Sequence, residues 1–321
     1  MADSPYIPAR GVASERRPAV SYAMVLAAAT LFGINGTVSK VVLSSGLSSL
    51  RLTEARCSGA LVGFTLVLLA TQPGTLRTTR REVAFLALFG VCGVALVQLF
   101  YYLAIHRLAI GVSLVIQYVG PLLVALWARF VAKEHVRRRI WVALVLALGG
   151  LTLVVDLWCG VSLDGLGVAF SLASAVTFAA YLLLAEHAVG RRDPLSLLCY
   201  GFVFATLFWA IAQPWWSFPT GTAGRSVSLL GNLAEQHLPV WVLIAWVIVL
   251  GTIVPFFLIV GALRHLPATR VGILAMLEPV LGTVVAYGWL DERLGTEQLV
   301  GGGAVLAGIA LAQTARQCPF R

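Results

Sequence analysis

The chain has 321 residues, of which 59% are hydrophobic and only 12% are charged, and its mean hydropathy is +0.90. Soluble domains carry about a quarter charged residues, so a soluble fold of this length would lack the polar groups that its surface needs. The composition therefore excludes an ordinary soluble enzyme or binding domain and predicts a chain that lies in the lipid bilayer.

The net charge of +9 does not indicate a nucleic-acid partner. The basic residues cluster in short stretches between apolar runs, and no basic stripe is interleaved with aromatic residues on a polar face. The five cysteines are scattered, without the spacing of a metal site or a redox motif. We therefore expect no nucleic acid, no metal and no cofactor.

Residues 1–19 are polar, and we interpret them as a cytoplasmic N-terminal tail. The apolar run that follows is too long for the hydrophobic region of a signal peptide. Ten runs are long enough, at about 20 residues each, to cross the ~30 Å hydrocarbon core of a bilayer. They lie at 20–40, 52–71, 83–104, 109–131, 139–156, 164–186, 194–214, 239–262, 268–290 and 297–315. The longest connection, about 217–238, lacks periodicity and is predicted to be a loop, and residues 316–321 form a C-terminal tail.

Ten spans put both termini on the same side of the membrane, and the basic residues indicate which side. With the N-terminus in the cytoplasm, 17 of the 23 Lys and Arg residues fall in cytoplasmic segments. This bias is the one that the positive-inside rule describes. The sequence therefore predicts a multi-pass protein of the inner (plasma) membrane with both termini cytoplasmic.

An internal repeat divides the chain into two halves. With an offset of 158 residues and no gap, Gly93 falls on Gly251 and Pro121 on Pro279, and Glu134 falls on Glu292. Proline and glutamate are unfavourable in or near membrane helices, so these matches are more informative than matches of leucine. The halves are 20–156 and 164–315, and five helices per half force opposite orientations. Inverted repeats of this kind are typical of secondary transporters, whose substrate site lies near the midplane between the halves.

The two repeated segments are YYLAIHRLAIGVSLVIQYVGPLLVALWARFVAKE and ALRHLPATRVGILAMLEPVLGTVVAYGWLDERL, and glycine-rich helices end both halves. The pattern resembles the EamA-like ten-helix exporters of the drug/metabolite transporter (DMT) superfamily. The segment around Glu278-Pro279 is similar to that of threonine/homoserine exporters within this family. The resemblance implies efflux of amino acids or other small metabolites. It also implies a central cavity built from the third, fourth, eighth and ninth helices, with contributions from the first and sixth.

Polar, aromatic and proline residues inside the spans are the candidate cavity residues. Polar side chains within a bilayer face the bundle interior or a cavity, and proline frees a helix carbonyl and bends the helix. Glu278 lies close to the middle of its span, where an ionisable residue indicates function. It could carry a proton or bind the ammonium group of a substrate. The candidates are Asn35, Gln98, Tyr101, Gln117, Tyr118, Pro121, Tyr181, Glu278 and Pro279.

Charges at the start of the second span leave two interpretations open. Glu54 could pair with Arg51 across one helical turn, and Arg56 resembles an arginine often found at this place in the family. A local ion-pair network and a gate are equal alternatives here.

An intramembrane enzyme and a sensory or structural membrane protein are the rival functions. The sequence contains no HExxH, GxSxG or Walker A motif and no cluster of His and Cys, so we expect no catalytic residues and no enzyme activity. The partners expected are a small-molecule substrate and the lipid bilayer. Glycines at 301–303 and 308 form a small-residue face suited to close helix packing, with a homodimer contact as an alternative.

Overall fold

The computed structural model describes residues 18–76, 78–108, 110–155, 164–291 and 295–314. The predicted C-terminal tail lies outside these residues, and of the predicted N-terminal tail only residues 18 and 19 are described. Glu292 also lies outside the described residues. The helices are α1 (Pro18–Ser44), α2 (Ser49–Thr71), α3 (Arg80–Leu88), α4 (Leu96–Ile105), α5 (Ile110–Gln117), α6 (Gly120–Phe130), α7 (Arg138–Val154), α8 (Gly165–Val189), α9 (Pro194–Ala212), α10 (Thr220–Ala223), α11 (Val240–Ile248), α12 (Val254–Ala262), α13 (Ala268–Ala275), α14 (Leu277–Leu290) and α15 (Thr296–Thr314).

The helical, polytopic fold predicted from the sequence is confirmed. Within the described residues, eight helical segments are long and apolar enough to cross a membrane. Four of them are single helices, and the other four join consecutive helices: α3 with α4, α5 with α6, α11 with α12, and α13 with α14. The two remaining long helices complete two sets of five. Of these, α7 has 17 residues, and α15 is rich in glycine.

The helices of the two halves are interrupted at equivalent places. The third span of each half contains a π-helical segment, Phe89–Ala95 in the first half and Val249–Ile253 in the second. The fourth span breaks where α5 ends at Gln117 and where α13 ends at Ala275. Each of these ends lies four residues before a proline, as expected because the proline ring lacks the N–H that would bond to that carbonyl.

Helices of one half pack against helices of the other in a reciprocal pattern. The first helix of the first half, α1, contacts α12 and α14, while the first helix of the second half, α8, contacts α4 and α6. Helices in equivalent positions also pair directly: α2 with α9, and α7 with α15. A twofold relation between two five-helix repeats produces this exchange of contacts.

The α7–α15 pair is packed backbone to backbone. A Cβ atom on Gly150 would lie 2.5 Å from the carbonyl oxygen of Gly301, and one on Gly308 would lie 2.7 Å from that of Ala143. By contrast, a Cβ atom on Gly303 would have no atom within 4 Å. Much of the small-residue face predicted on α15 is therefore used within the chain. The homodimer contact stays a prediction.

The connection predicted as a loop contains regular structure. It holds α10 and a two-stranded antiparallel hairpin, β1 (Ser226–Ser228) with β2 (His237–Pro239). The indole Nε1 of Trp289 on α14 donates to the carbonyl oxygen of Leu229 at 2.9 Å. Such short strands carry no periodicity that the sequence could show, and this contact with α14 helps to hold the hairpin on the bundle.

Candidate functional site

A cavity of about 610 Å³ lies between the two halves. Its walls come from α1, α2, the α3–α4 span, the α5–α6 span, α8, α12 and the α13–α14 span. It extends to the end of the bundle where α1 ends and α2 begins, named here the open end. The exposed residue Lys40 and the half-buried Ser49 line it there.

Seven of the nine candidate residues line this cavity. They are Asn35, Gln98, Tyr101, Gln117, Tyr118, Tyr181 and Glu278.

Glu278 lies in the wall of the cavity at the break between α13 and α14. The hydroxyl of Tyr118, from the break between α5 and α6, donates to Oε2 of Glu278 at 2.9 Å. The two helix breaks are thus joined by a hydrogen bond across the interface of the halves. This hydrogen bond orients the carboxyl group of Glu278 within the cavity wall.

Three amide side chains contribute to the cavity wall. The carbonyl oxygens of Asn35, Gln98 and Gln117 are buried and have no hydrogen-bond partner among the described residues. The amide nitrogen of Gln98 donates to the carbonyl oxygen of Val94 in the π-helical segment, at 3.4 Å. Buried acceptors without a donor are unfavourable, and the oxygen of Asn35 packs against Gly251 of the second half rather than facing the cavity.

A cluster of aromatic rings forms the inner wall of the cavity. Phe256 meets Phe32 and Tyr181 edge to face, with ring centroids 5.8 and 5.7 Å apart. Behind this layer, Phe202 packs on Phe256 at 5.4 Å, and Phe89 stacks on Tyr181 at 5.8 Å. Phe89 and Phe202 are fully buried, so aromatic packing separates the cavity from the other side of the bundle.

The opposite end of the bundle, named here the closed end, is tied by polar contacts between loops and helix termini. Arg264, after α12, pairs with Asp193 before α9 at 2.7 Å. A carboxylate oxygen of Glu186 on α8 accepts from the backbone N–H of Ala268, the first residue of α13, at 3.0 Å. These contacts join the α12–α13 connection to α8 and α9. The chain thus encloses a cavity that is open at one end and tied shut at the other.

The model of a protein family, described as the EamA-like transporter family, matches this chain over residues 19–156 and again over 165–314. The chain belongs to the EamA-like transporter family. The chain is therefore a multi-pass membrane protein of a family of transporters, as its sequence predicts, and the two matches correspond to the two sets of five helices.

The similarity to individual proteins agrees with this assignment. The threonine/homoserine exporter RhtA of Escherichia coli K12 is 30% identical over 76% of this chain and 76% of its own length. An uncharacterized transporter of Archaeoglobus fulgidus is 27% identical over 86% of this chain and 91% of its own. One crystal structure has the same fold, with a TM-score of 0.75 at 15% identity, over 92% of this chain and 97% of the other.

The two candidate prolines are not among the residues that line the cavity. Pro121 is buried, and its Cβ and Cγ atoms lie 3.1 and 3.2 Å from the position of a Cβ on Gly272 of α13. Pro279 follows Glu278 directly and is half-buried. Both prolines follow the helix breaks, and these breaks bring Tyr118 and Glu278 to the cavity.

The charged residues at the start of α2 have two different environments, which bear on whether they form a local network or a gate. Arg51 pairs with Glu54 at 2.7 Å and also donates to Oγ of Ser217 at 2.6 Å, which makes this pair a local network at the open end. Arg56 instead lines the cavity. The helices expected to form the cavity did not include α2, and Arg56 was not a candidate cavity residue. Its position five residues after Arg51, inside an apolar span, is the signal in the sequence.

Proposed function

We propose that this chain is a secondary transporter that exports amino acids or related small metabolites across the bacterial inner membrane by alternating access. The observation that carries the proposal is a cavity between two repeats that is lined by a carboxyl group, amide side chains and aromatic rings, and opens at one end only. The similarity to the threonine/homoserine exporter RhtA supports amino acids as the substrate class. Residues 20–156 and 164–315 would be the two repeats.

The direction of opening follows from the charge bias of the sequence. With both termini in the cytoplasm, the open end lies on the outer side of the membrane and the closed end on the cytoplasmic side. The described conformation would be the outward-open one, from which an exporter releases its substrate. Loading from the cytoplasm then requires the pair Arg264–Asp193 and the bond from Ala268 to Glu186 to open, while the outer end closes.

We propose that the seven lining candidates, with Glu278 at the centre, contact the substrate. A carboxyl group at a helix break inside the membrane is costly and indicates function. It serves export in one of two ways. It exchanges a proton between the two sides, or it binds a cationic group of the substrate.

The experiment is flux in proteoliposomes with Glu278→Gln, using L-threonine as the first probe, with an imposed pH gradient and without one. Glu235→Gln is the matched control, because Glu235 is exposed in the connection after β1. We expect Glu278→Gln to reach the membrane at the normal level and to lose transport. Loss of pH-driven accumulation with downhill exchange retained indicates proton exchange at Glu278, and loss of both indicates substrate binding. Wild-type flux in Glu278→Gln at every pH would contradict the site.

A further inference from the structure

Arg56 on α2 lines the cavity together with Tyr118 and Glu278 of the two helix breaks. Its Nε donates to Oγ1 of Thr252 at 3.0 Å, and its Nη2 donates to the carbonyl oxygen of Gly251 at 3.2 Å. Both acceptors belong to the π-helical segment Val249–Ile253. In turn, Thr252 donates to the carbonyl oxygen of Val247 at 2.9 Å. One edge of the guanidinium group is therefore held by the other half of the protein.

The remaining donors of Arg56 are not used by the protein. Among the described residues, no hydrogen bond involves its Nη1 and no carboxylate forms an ion pair with it. A guanidinium group in a partly buried site is unfavourable without an anion, and its planar array of donors fits a carboxylate in particular. Arg56 thus presents unused donors to whatever fills the cavity.

Glu278 contributes a carboxyl group to the wall of the same cavity. One of its oxygens is occupied by Tyr118, and no described residue donates to the other. Arg56 and Glu278 both line the cavity, yet they do not pair with one another in the described part of the chain. A guanidinium group and a carboxyl group that line one cavity without pairing suit a solute that carries both an anionic and a cationic group.

We propose that Arg56 and Glu278 together bind the zwitterion of a free α-amino acid, with the carboxylate at Arg56 and the ammonium group at Glu278. This inference rests on the proposed function and assigns a substrate class and a new residue to its site. Gln98 and Gln117 line the same cavity and contribute polar side chains to its wall. The aromatic wall around Phe256 packs against the aliphatic part of the side chain.

The arrangement predicts which analogues the site rejects. An amino-acid amide lacks the anionic charge and leaves Arg56 unpaired, and a 2-hydroxy acid lacks the cationic charge and leaves Glu278 unpaired. A site that is built to pair with a polar group discriminates strongly against an analogue that lacks it, because its own buried groups then lose their partner. Both ends of the zwitterion are therefore needed for binding.

The test is a binding assay with radiolabelled L-threonine on the purified wild-type protein in lipid nanodiscs. The competitors are unlabelled L-threonine, L-threonine amide and 2,3-dihydroxybutyrate, which has a hydroxyl group in place of the ammonium group. We expect the amide and the hydroxy acid to compete at least about 100-fold more weakly than L-threonine. This measurement needs no variant, so it does not depend on how a substitution folds. Equal competition by the amide would overturn the inference.

Two variants then assign each end of the ligand. In Arg56→Gln, the preference for L-threonine over its amide should fall below about threefold, while the preference over the hydroxy acid is retained. Glu278→Gln should show the reverse. Arg107→Gln is the matched control, because Arg107 is exposed at the open end and pairs with Asp164 rather than lining the cavity. Arg56→Lys keeps the charge without the planar fork and should bind with intermediate affinity.

The outcomes separate this inference from the proposed function. If Arg56→Gln elutes as the wild type in gel filtration and still discriminates against the amide, Arg56 does not bind the carboxylate, although amino-acid export stands. If the wild type neither binds nor transports any α-amino acid, the amino-acid substrate class of the proposed function is wrong, and the inference is wrong with it.

Discussion

The close contact between α7 and α15 gives a prediction whose size follows from the structure. A Cβ atom on Gly301 would lie 2.5 Å from the carbonyl oxygen of Gly150, 2.7 Å from Cβ of Leu153 and 2.7 Å from the backbone nitrogen of Val154. None of these atoms can rotate away, so Gly301→Ala must push the two helices apart. Gly303, two residues further along α15, has nothing within 4 Å of the same position. Gly303→Ala is therefore a matched control.

Both substitutions gain the same helix propensity, at most about 1 kcal/mol. The difference between their free energies of unfolding therefore reports the packing. Overpacking a tight contact costs about 1–3 kcal/mol. We expect Gly301→Ala to unfold with a free energy lower than that of Gly303→Ala by this amount, measured as reversible unfolding in mixed detergent micelles. Neither glycine lines the cavity, so the selectivity among analogues should be unchanged. Equal stability of the two variants would refute the close packing of these helices.

Two further predictions concern orientation and the carboxyl group. The charge bias puts the closed end of the bundle in the cytoplasm. In a cysteine-free background, Arg225→Cys in the connection before β1 should therefore react with an impermeant maleimide in intact cells. Arg80→Cys at the start of α3 should react only after the cells are permeabilised. The reverse labelling would invert the proposed direction. Tyr118→Phe removes the hydroxyl that donates to Glu278 at 2.9 Å and should lower threonine flux about tenfold, the usual effect of losing a hydrogen bond to a charged group. Tyr287→Phe, at an exposed position, is the control, and flux in Tyr118→Phe equal to that of the control would remove this bond from the mechanism.

The sequence is sufficient to predict the helices and their interruptions at proline. Apolar runs of span length and a repeated proline are local properties, and α5 and α13 end four residues before Pro121 and Pro279 as the chemistry of proline requires. The position of Glu278 near the middle of the segment Ala268–Leu290 also follows from counting residues along that span. Its partner Tyr118 was among the candidate residues for its polarity, but a pattern along one chain does not tell which polar residues meet.

The π-helical segments and the position of Arg56 could not be predicted from the sequence. One additional residue in a helical turn changes the apolar periodicity too little to be read, although Gly93 and Gly251 fall within the two segments. Arg56 contacts Thr252 across the interface of the halves, a separation that no local pattern encodes. The hairpin from Ser226 to Pro239 is equally hidden, because three-residue strands have no period.

The contacts that α1 makes with helices of the second half have a consequence for biosynthesis. On α1, the position of a Cβ atom on Gly33 lies 2.9 Å from the backbone nitrogen of Gly282 on α14, so the final neighbour of α1 is among the last segments to leave the ribosome. At roughly 5–20 residues per second, α1 waits on the order of ten seconds or more beside the translocon or in lipid before that surface is covered. During this interval the surface around Gly33 is open to any other helix. We therefore expect a fragment that ends after α7 to remain bound to the translocon or to an insertase longer than the full chain does, which crosslinking during translation would measure.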